Sequence, residues 1–210
     1  NVLGTCNKLG EISKIVHRYA AQLLVDGAQL VPHQKMDMKG LDIDYLAFSG
    51  HKVYSPFGTG VLLARKGLLI FSAAEMEKRQ RLGEENSAGI AALGKAFVLL
   101  HRIGMDLVHT EEQRLTRLAL EKMSQLQHLK VHGLKDVQSP RFNQKLGVIA
   151  FDVKGLMADK VAKELSLQGG IGVRNGCMCA HILVKRMLGV GNFLENFQRV
   201  MLSLLPKVQL

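Results

Sequence analysis

Leu46-Ala47-Phe48-Ser49-Gly50-His51-Lys52 is an apolar run that stops on a hydroxyl, a glycine, an imidazole and an amine. Residues 45–48 read as a buried strand, which Ser49-Gly50 breaks. Gly50 permits a sharp turn because it carries no Cβ. Upstream, Leu23-Leu24-Val25-Asp26-Gly27-Ala28-Gln29 has the same design: a short buried strand, 23–25, ends in a carboxylate and a glycine. Downstream, Pro56-Phe57-Gly58-Thr59-Gly60 opens a third strand, Gly60–Ala64. Before them, residues 11–21 carry Ile12, Ile15, Val16, Tyr19 and Ala20 on one helical face, and Val2-Leu3 reads as the end of a strand. Strands alternating with helices predict an α/β fold with a mainly parallel, doubly wound sheet.

Ligands of open α/β sheets sit beyond the carboxyl ends of the strands. Asp26, Ser49, His51 and Lys52 are therefore expected along one crest. A lysine held in a partly desolvated, cationic place loses its proton more readily and serves as an amine nucleophile. Ser49 and His51 can bond phosphate oxygens. Each piece alone also has a plain structural meaning: Asp26 as a turn or helix-cap residue, Ser-Gly-His-Lys as a polar turn.

The middle of the chain reads as two helices, 86–103 and 106–126, with Asn86 or Ser87 as N-cap and Gly104 as the stop between them. The last third predicts strands at Leu129–His132, 147–151 and 171–174. Helices are expected at 158–167, 180–188 and 193–204, and a polar surface loop at 138–145. A domain boundary is expected within residues 103–126: residues 1–110 in a large α/β domain and 111–210 in a smaller α+β one.

In the last third, Gly170-Ile171-Gly172-Val173-Arg174-Asn175-Gly176-Cys177-Met178-Cys179-Ala180-His181 places two thiols beside a guanidinium and an imidazole. Three readings stay open: a thiolate nucleophile favoured by Arg174, a metal site built from Cys177, Cys179 and His181, or cysteines as small apolar residues in a tight loop.

The order Asp-Gly-Ala-Gln, then Ser-Gly-His-Lys, then Pro-Phe-Gly-Thr-Gly resembles the class V aminotransferase family of pyridoxal-phosphate enzymes, and within it the cysteine desulfurases. The likeness runs from Asn1 to Lys66, from Gly83 to Leu100 and from Gly147 to Ala180. It implies the fold type I architecture, a large domain followed by a smaller α+β C-terminal domain. It implies pyridoxal 5'-phosphate as cofactor, with Lys52 as the Schiff-base lysine and proton carrier and Asp26 against the pyridinium nitrogen. Gln29, with Asn1 nearby, would lie at the phenolic oxygen, and Ser49 and His51 on the phosphate. In the desulfurases an Arg is followed five positions later by the cysteine that takes up sulfur, which selects Cys179; Arg174 would help bind the substrate carboxylate. The reaction implied is L-cysteine to L-alanine with a persulfide on Cys179. A transaminase or lyase of the same family, or an inactive truncated copy, is the alternative. A homodimer and a sulfur-acceptor protein are the implied partners.

The chain departs from the family in three ways. It reads as a fragment, lacking a front half with its ring-stacking residue. It stops before the segment where the family has its main substrate-carboxylate arginine. Glu84 stands where the family usually has a threonine that bonds phosphate, and a carboxylate there would repel phosphate. Half a sheet would also expose apolar edges, so poor solubility or tight association is expected of this piece alone.

Composition fits this reading. The 210 residues are 47% hydrophobic and 22% charged, ordinary for a globular protein. No apolar run is long enough to span a bilayer, and no leader pattern is present, so no membrane role is expected. Net charge is +10, but Lys and Arg are interleaved with Glu, which argues against nucleic-acid binding. Three cysteines, an odd number, suggest free thiols in a reducing compartment, the cytoplasm. No metal is expected. His17, His33, His101, His109, His128 and His132 have no nameable partners in the sequence, and Cys6 reads as a small buried residue.

Overall fold

Leu24–Asp26 (β1) and Tyr45–Ser49 (β2) pair in parallel, and Gly60–Ala64 (β3) adds antiparallel to β2, in a computed structural model that describes residues 2–56, 58–82 and 85–189. Ahead of them lies α1, Leu9–Arg18. The order β1-β2-β3 confirms the α/β class, with one antiparallel pair at the edge. A parallel pair needs a crossover. Here it is built from turns: Leu30 and Val31 N–H both donate to Gly27 O, and Gln34 N–H donates to Leu30 O.

β2 shows why these residues make a strand. Leu46 and Phe48 are buried while Tyr45, Ala47 and Ser49 are half-buried, the alternation of a pleated chain with one face on a core. Val25, Ile43, Leu46, Phe48, Val53, Leu93 and Leu100 form one cluster. Leu93 and Leu100 come from α3, Ser87–Ile103, whose buried stripe also holds Ala96. Phe97 on the same helix meets Phe48 edge-on at 5.8 Å and 82°. Asn86 caps α3 by accepting from Gly89 N–H at 2.9 Å. Before it lies α2, Ala73–Leu82, which the sequence pattern does not reveal.

Gly104, at φ 91°, separates α3 from α4, Met105–Met123, and the two meet at a 74° bend. Among the described residues no single helix is long and apolar enough to cross a membrane. Beyond α4, Leu129–His132 (β4) and Ala150–Val153 (β5) pair antiparallel. Then α5, Ala158–Gly169, packs on β5, and α6, His181–Met187, follows.

Three expectations shift. Val2-Leu3 is a turn rather than a strand. The strand expected at 147–151 begins at Ala150, because Leu146 N–H donates to Gly4 O instead and Val148 folds back on Leu146 O. Residues 171–174 form no strand: Gly170 turns at φ 62° and Ile171 N–H closes onto Leu165 O, and among the described residues the run has no strand to pair with. The helix expected at 193–204 lies outside the described residues.

Many large apolar side chains remain uncovered, among them Ile90, Phe97, Val98, Ile103 and Leu107 on α3 and α4 and Leu62 and Leu63 on β3.

Candidate functional site

The ladder between β1 and β2 runs one residue past the strand. Gly27 N–H donates to Ala47 O at 2.8 Å, so the chain leaving Asp26 stays beside the chain entering Ser49. Asp26 Oδ1 accepts Ala28 N–H at 3.0 Å, an Asx turn that fixes the carboxylate at the crest. After β2 the chain tightens into a 3₁₀ turn, Gly50–Val53, which carries Lys52. Gly50 N–H donates to Thr59 O at 2.7 Å and Ser55 N–H to Gly50 O at 3.0 Å. Val53 is completely buried beneath the turn, and Tyr54 closes it in the left-handed conformation at φ 65°. A Cβ on Gly50 would collide with Thr59 Oγ1, so only glycine lets the turn lie this close to β3.

These two turns face one cavity of about 400 Å³, within the range of roughly 300–1,000 Å³ typical of small-molecule sites. Asp26, Ala28 and Gln29 line it from the first crest and Lys52 from the second. A further wall comes from Thr5, Cys6 and Asn7, together with Leu146. Asp26, Gln29 and Lys52, singled out from sequence, are thus brought together. Ser49 ends β2 half-buried and His51 is exposed on the 3₁₀ turn; both flank Lys52 without lining the cavity. Asn1 and Glu84 lie outside the described residues.

Arg174, Cys177 and Cys179 are exposed on the 171–180 turn, and the structure does not bring them to the cavity. Ala180 N–H closes that turn onto Cys177 O at 2.7 Å. Met178 and Cys179 both hold left-handed backbone, φ 51° and 59°, a strained conformation that clusters at functional sites. All three cysteines are free. Among the described residues no group of three or more His, Cys, Asp or Glu is gathered to hold a metal ion.

An amine, a carboxylate and an amide around one hollow suit a planar heteroaromatic aldehyde. The amine can bond the aldehyde carbon, the carboxylate can face a protonated ring nitrogen, and the amide can donate to a ring hydroxyl.

Sequence reasoning missed the wall of Thr5, Cys6 and Asn7. Cys6 is half-buried against the cavity rather than buried in the core. Burial pushes its thiol up, partly offset by Gln34 Nε2 donating to Sγ. Three histidines also have partners that the sequence did not indicate. His17 bonds Asp42 and Asp44, His33 Nδ1 bonds Glu112 at 2.8 Å, and His132 bonds Asp152 at 2.9 Å. Each of these partners lies too far along the chain for a local pattern to show it.

A family description of class-V aminotransferases matches residues 1–200. A probable cysteine desulfurase of Halalkalibacterium halodurans is 35% identical over 204 residues, covering 88% of this chain and 48% of that protein. A cysteine desulfurase of Dickeya dadantii is 36% identical over 206 residues, covering 89% of this chain and 48% of its own. The apo structure of a cysteine desulfurase from Thermococcus onnurineus superimposes with a TM-score of 0.77 at 28% identity, covering 99% of this chain and 58% of the other. The chain spans about half the length of the curated relatives it matches.

Proposed function

The chain belongs to the class V aminotransferase family, and from that premise we propose that the protein is a pyridoxal-phosphate-dependent cysteine desulfurase, converting L-cysteine to L-alanine with the sulfur taken up on Cys179. The observation that carries the reading is the shared cavity: Lys52 and Asp26, at the ends of adjacent parallel strands, line one hollow with Gln29. The relatives' names supply the reaction.

Bound pyridoxal phosphate supplies an electron sink for the substrate α-carbon. Lys52 Nζ anchors the cofactor aldehyde and moves the proton at the α-carbon. Asp26 keeps the ring nitrogen protonated, and Gln29 donates to the phenolic oxygen, with Asn1 assigned nearby. Ser49 and His51 hold the phosphate. Arg174 binds the substrate carboxylate and favours a thiolate at Cys179. Cys179 Sγ then bonds the substrate sulfur as its Cβ–S bond breaks, and a proton completes the methyl group of alanine.

In this reading residues 1–110 belong to the cofactor-binding domain and 111–210 to the small domain. The protein acts as a homodimer that passes sulfur to an acceptor protein in a reducing, cytoplasmic setting. The uncovered apolar side chains of α3, α4 and β3 fit a surface that is closed in the complete assembly.

One observation favours a second reading. Cys179 stands outside the cavity, and without that thiol as sulfur acceptor the same cavity serves a transaminase or lyase; the chain by itself would then be an inactive piece. In the full-length protein with a reductant, L-cysteine should give sulfide and alanine. A visible cofactor band should appear and disappear on borohydride treatment or in Lys52→Ala. An unchanged rate in Cys179→Ala would remove Cys179 from the mechanism.

A further inference from the structure

Lys145 is completely buried, and among the described residues it pairs with no carboxylate. Its Nζ donates instead to two backbone carbonyls, Leu3 O at 2.7 Å and Val148 O at 2.6 Å. An ammonium without a counter-ion is costly to bury, so the position matters for where it ties the chain. Around it three segments cross. Thr5 forms an antiparallel bridge with Lys145. Leu146 N–H donates to Gly4 O at 2.8 Å and Cys6 N–H to Gln144 O at 2.7 Å. Gln113 of α4 donates to the Lys145 carbonyl. On one side of this crossing Thr5, Cys6 and Asn7 line the cavity, and on the other Leu146 does. Residues 146–148 run on into β5 and α5, towards the turn bearing Arg174 and Cys179.

We propose that Lys145 is a positioning residue of the Lys52–Asp26 cavity: its ammonium, tied to Leu3 O and Val148 O, holds the wall of Thr5, Cys6 and Asn7 at its distance from Lys52. The proposal rests on the reading of that cavity as the cofactor site. Replacing the lysine with an apolar side chain leaves both carbonyls without a donor in a buried place. The wall then relaxes, because its other ties to 144–148 are backbone bonds between short, irregular segments. A second change strikes the same junction without touching the charge. Gly4 has φ 61°, and a Cβ there collides with Val148 O.

The test uses the full-length protein as Lys145→Met, Gly4→Ala and, as a control at an exposed lysine, Lys135→Met. Two quantities are read well below the melting temperature. One is the rate at which N-ethylmaleimide alkylates Cys6 in cofactor-free protein, followed on the Cys6 peptide by mass spectrometry. The other is the dissociation constant of pyridoxal phosphate, followed by its visible band. Lys145→Met and Gly4→Ala should each speed Cys6 alkylation and weaken the cofactor by on the order of tenfold, the scale of one buried polar group left unpaired, while Lys135→Met changes neither. A lower melting temperature with both quantities unchanged makes Lys145 a stability residue only and overturns the proposal. If Lys145→Met does not fold, Gly4→Ala decides on the same two readings. Lys52→Ala keeps the two ideas separate: a visible band that survives it overturns the cofactor reading, whereas native Cys6 alkylation in Lys145→Met overturns the positioning role.

Discussion

His17 Nε2 lies 2.7 Å from Asp44 Oδ2, a carboxylate on a residue only 5% exposed. The other ring nitrogen, Nδ1, lies 2.8 Å from Asp42 Oδ2. Arg65 reaches the same two carboxylates, and Asp44 also accepts Leu23 N–H at 2.8 Å. The cluster therefore fastens α1 to the start of β2 and the end of β3. With a carboxylate at each ring nitrogen, both must carry protons, so the bound form is the imidazolium. The hydrogen bond to Asp44, then that to Asp42, raises the His17 pKa, while His17 lowers that of Asp44 and Arg65 that of Asp42.

The direction of the pH effect follows. A raised histidine contributes stability that is fully present below its ordinary pKa and lost as pH rises through the raised value. The lowered carboxylates contribute above their ordinary pKa values and lose that contribution as pH falls through the depressed ones. His17→Ala should lower the melting temperature more at pH 5.5 than at pH 9, because the wild type loses the imidazolium as pH rises through the raised pKa. Thermal melts of both proteins at the two pH values check this. An equal gap at both would mean that the ring acts only as a neutral spacer.

Gly50 should tolerate no side chain. Its Cβ would press on Thr59 Oγ1 and stand 3.0 Å from Thr59 O, so the 3₁₀ turn has to move away from β3. Overpacking of this kind costs about 1–3 kcal/mol. Gly50→Ala should show that loss in urea unfolding, together with a weaker visible cofactor band, since Lys52 rides on the displaced turn. Adding Thr59→Ala removes the hydroxyl but not the carbonyl, so it should restore part of the stability and not all. No recovery at all would locate the strain elsewhere.

The two crests of the site were legible because everything that makes them is local. An apolar run, a polar stop and a glycine predict β1, β2 and the turns carrying Asp26 and Lys52 to within a residue or two. Asn86 as the cap of α3 and Gly104 as its stop are equally local and are found where expected. The wall of Thr5, Cys6 and Asn7 was not legible. Thr5 meets Lys145 across most of the chain, and no periodicity records such a pairing. The same limit explains the errors. Ile171 to Arg174 has a strand-like composition, but a strand exists only where a neighbour offers a ladder, and none of the described residues offers one. Lys145 sits at the head of an apolar run, where a basic residue ordinarily reads as a surface end; only the carbonyls of Leu3 and Val148 account for its burial.

Leu46 packs against the turn that follows Asp26. It is 2% exposed, and its Cδ1 lies so close to Gly27 that a Cβ there would be 2.6 Å away. Leu46→Ala should cost about 2–5 kcal/mol, as for other large-to-small changes in a core. It should also loosen the turn after Asp26, which rests on that methyl. Urea unfolding gives the first quantity, and the dissociation constant of pyridoxal phosphate the second. A stability loss without weaker cofactor binding would mean that the Asp26 turn is held by its hydrogen bonds to Ala47 and Ala28 alone.

Lys145 should leave its own trace in the pH dependence of stability. Burial pushes its pKa down to about 8 from an ordinary 10.5. Below pH 8 the folded state carries the full cost of a buried charge. Between about pH 8 and 10.5 the unfolded chain keeps the proton that the folded one has shed, so stability rises with pH from this group. The slope approaches about 1.4 kcal/mol per pH unit and the total over the whole range is on the order of 3 kcal/mol. The clamp itself survives the titration, because a neutral amine still has two N–H groups for the two carbonyls. Lys145→Met cannot titrate, so the stability of wild type relative to this variant should grow from pH 8 to pH 10 in urea unfolding, while Cys6 alkylation, corrected for the titration of the thiol itself, stays slow in the wild type. A difference that stays flat over that range would mean that the ammonium keeps its proton throughout, and that the two carbonyls compensate its burial more fully than desolvation allows.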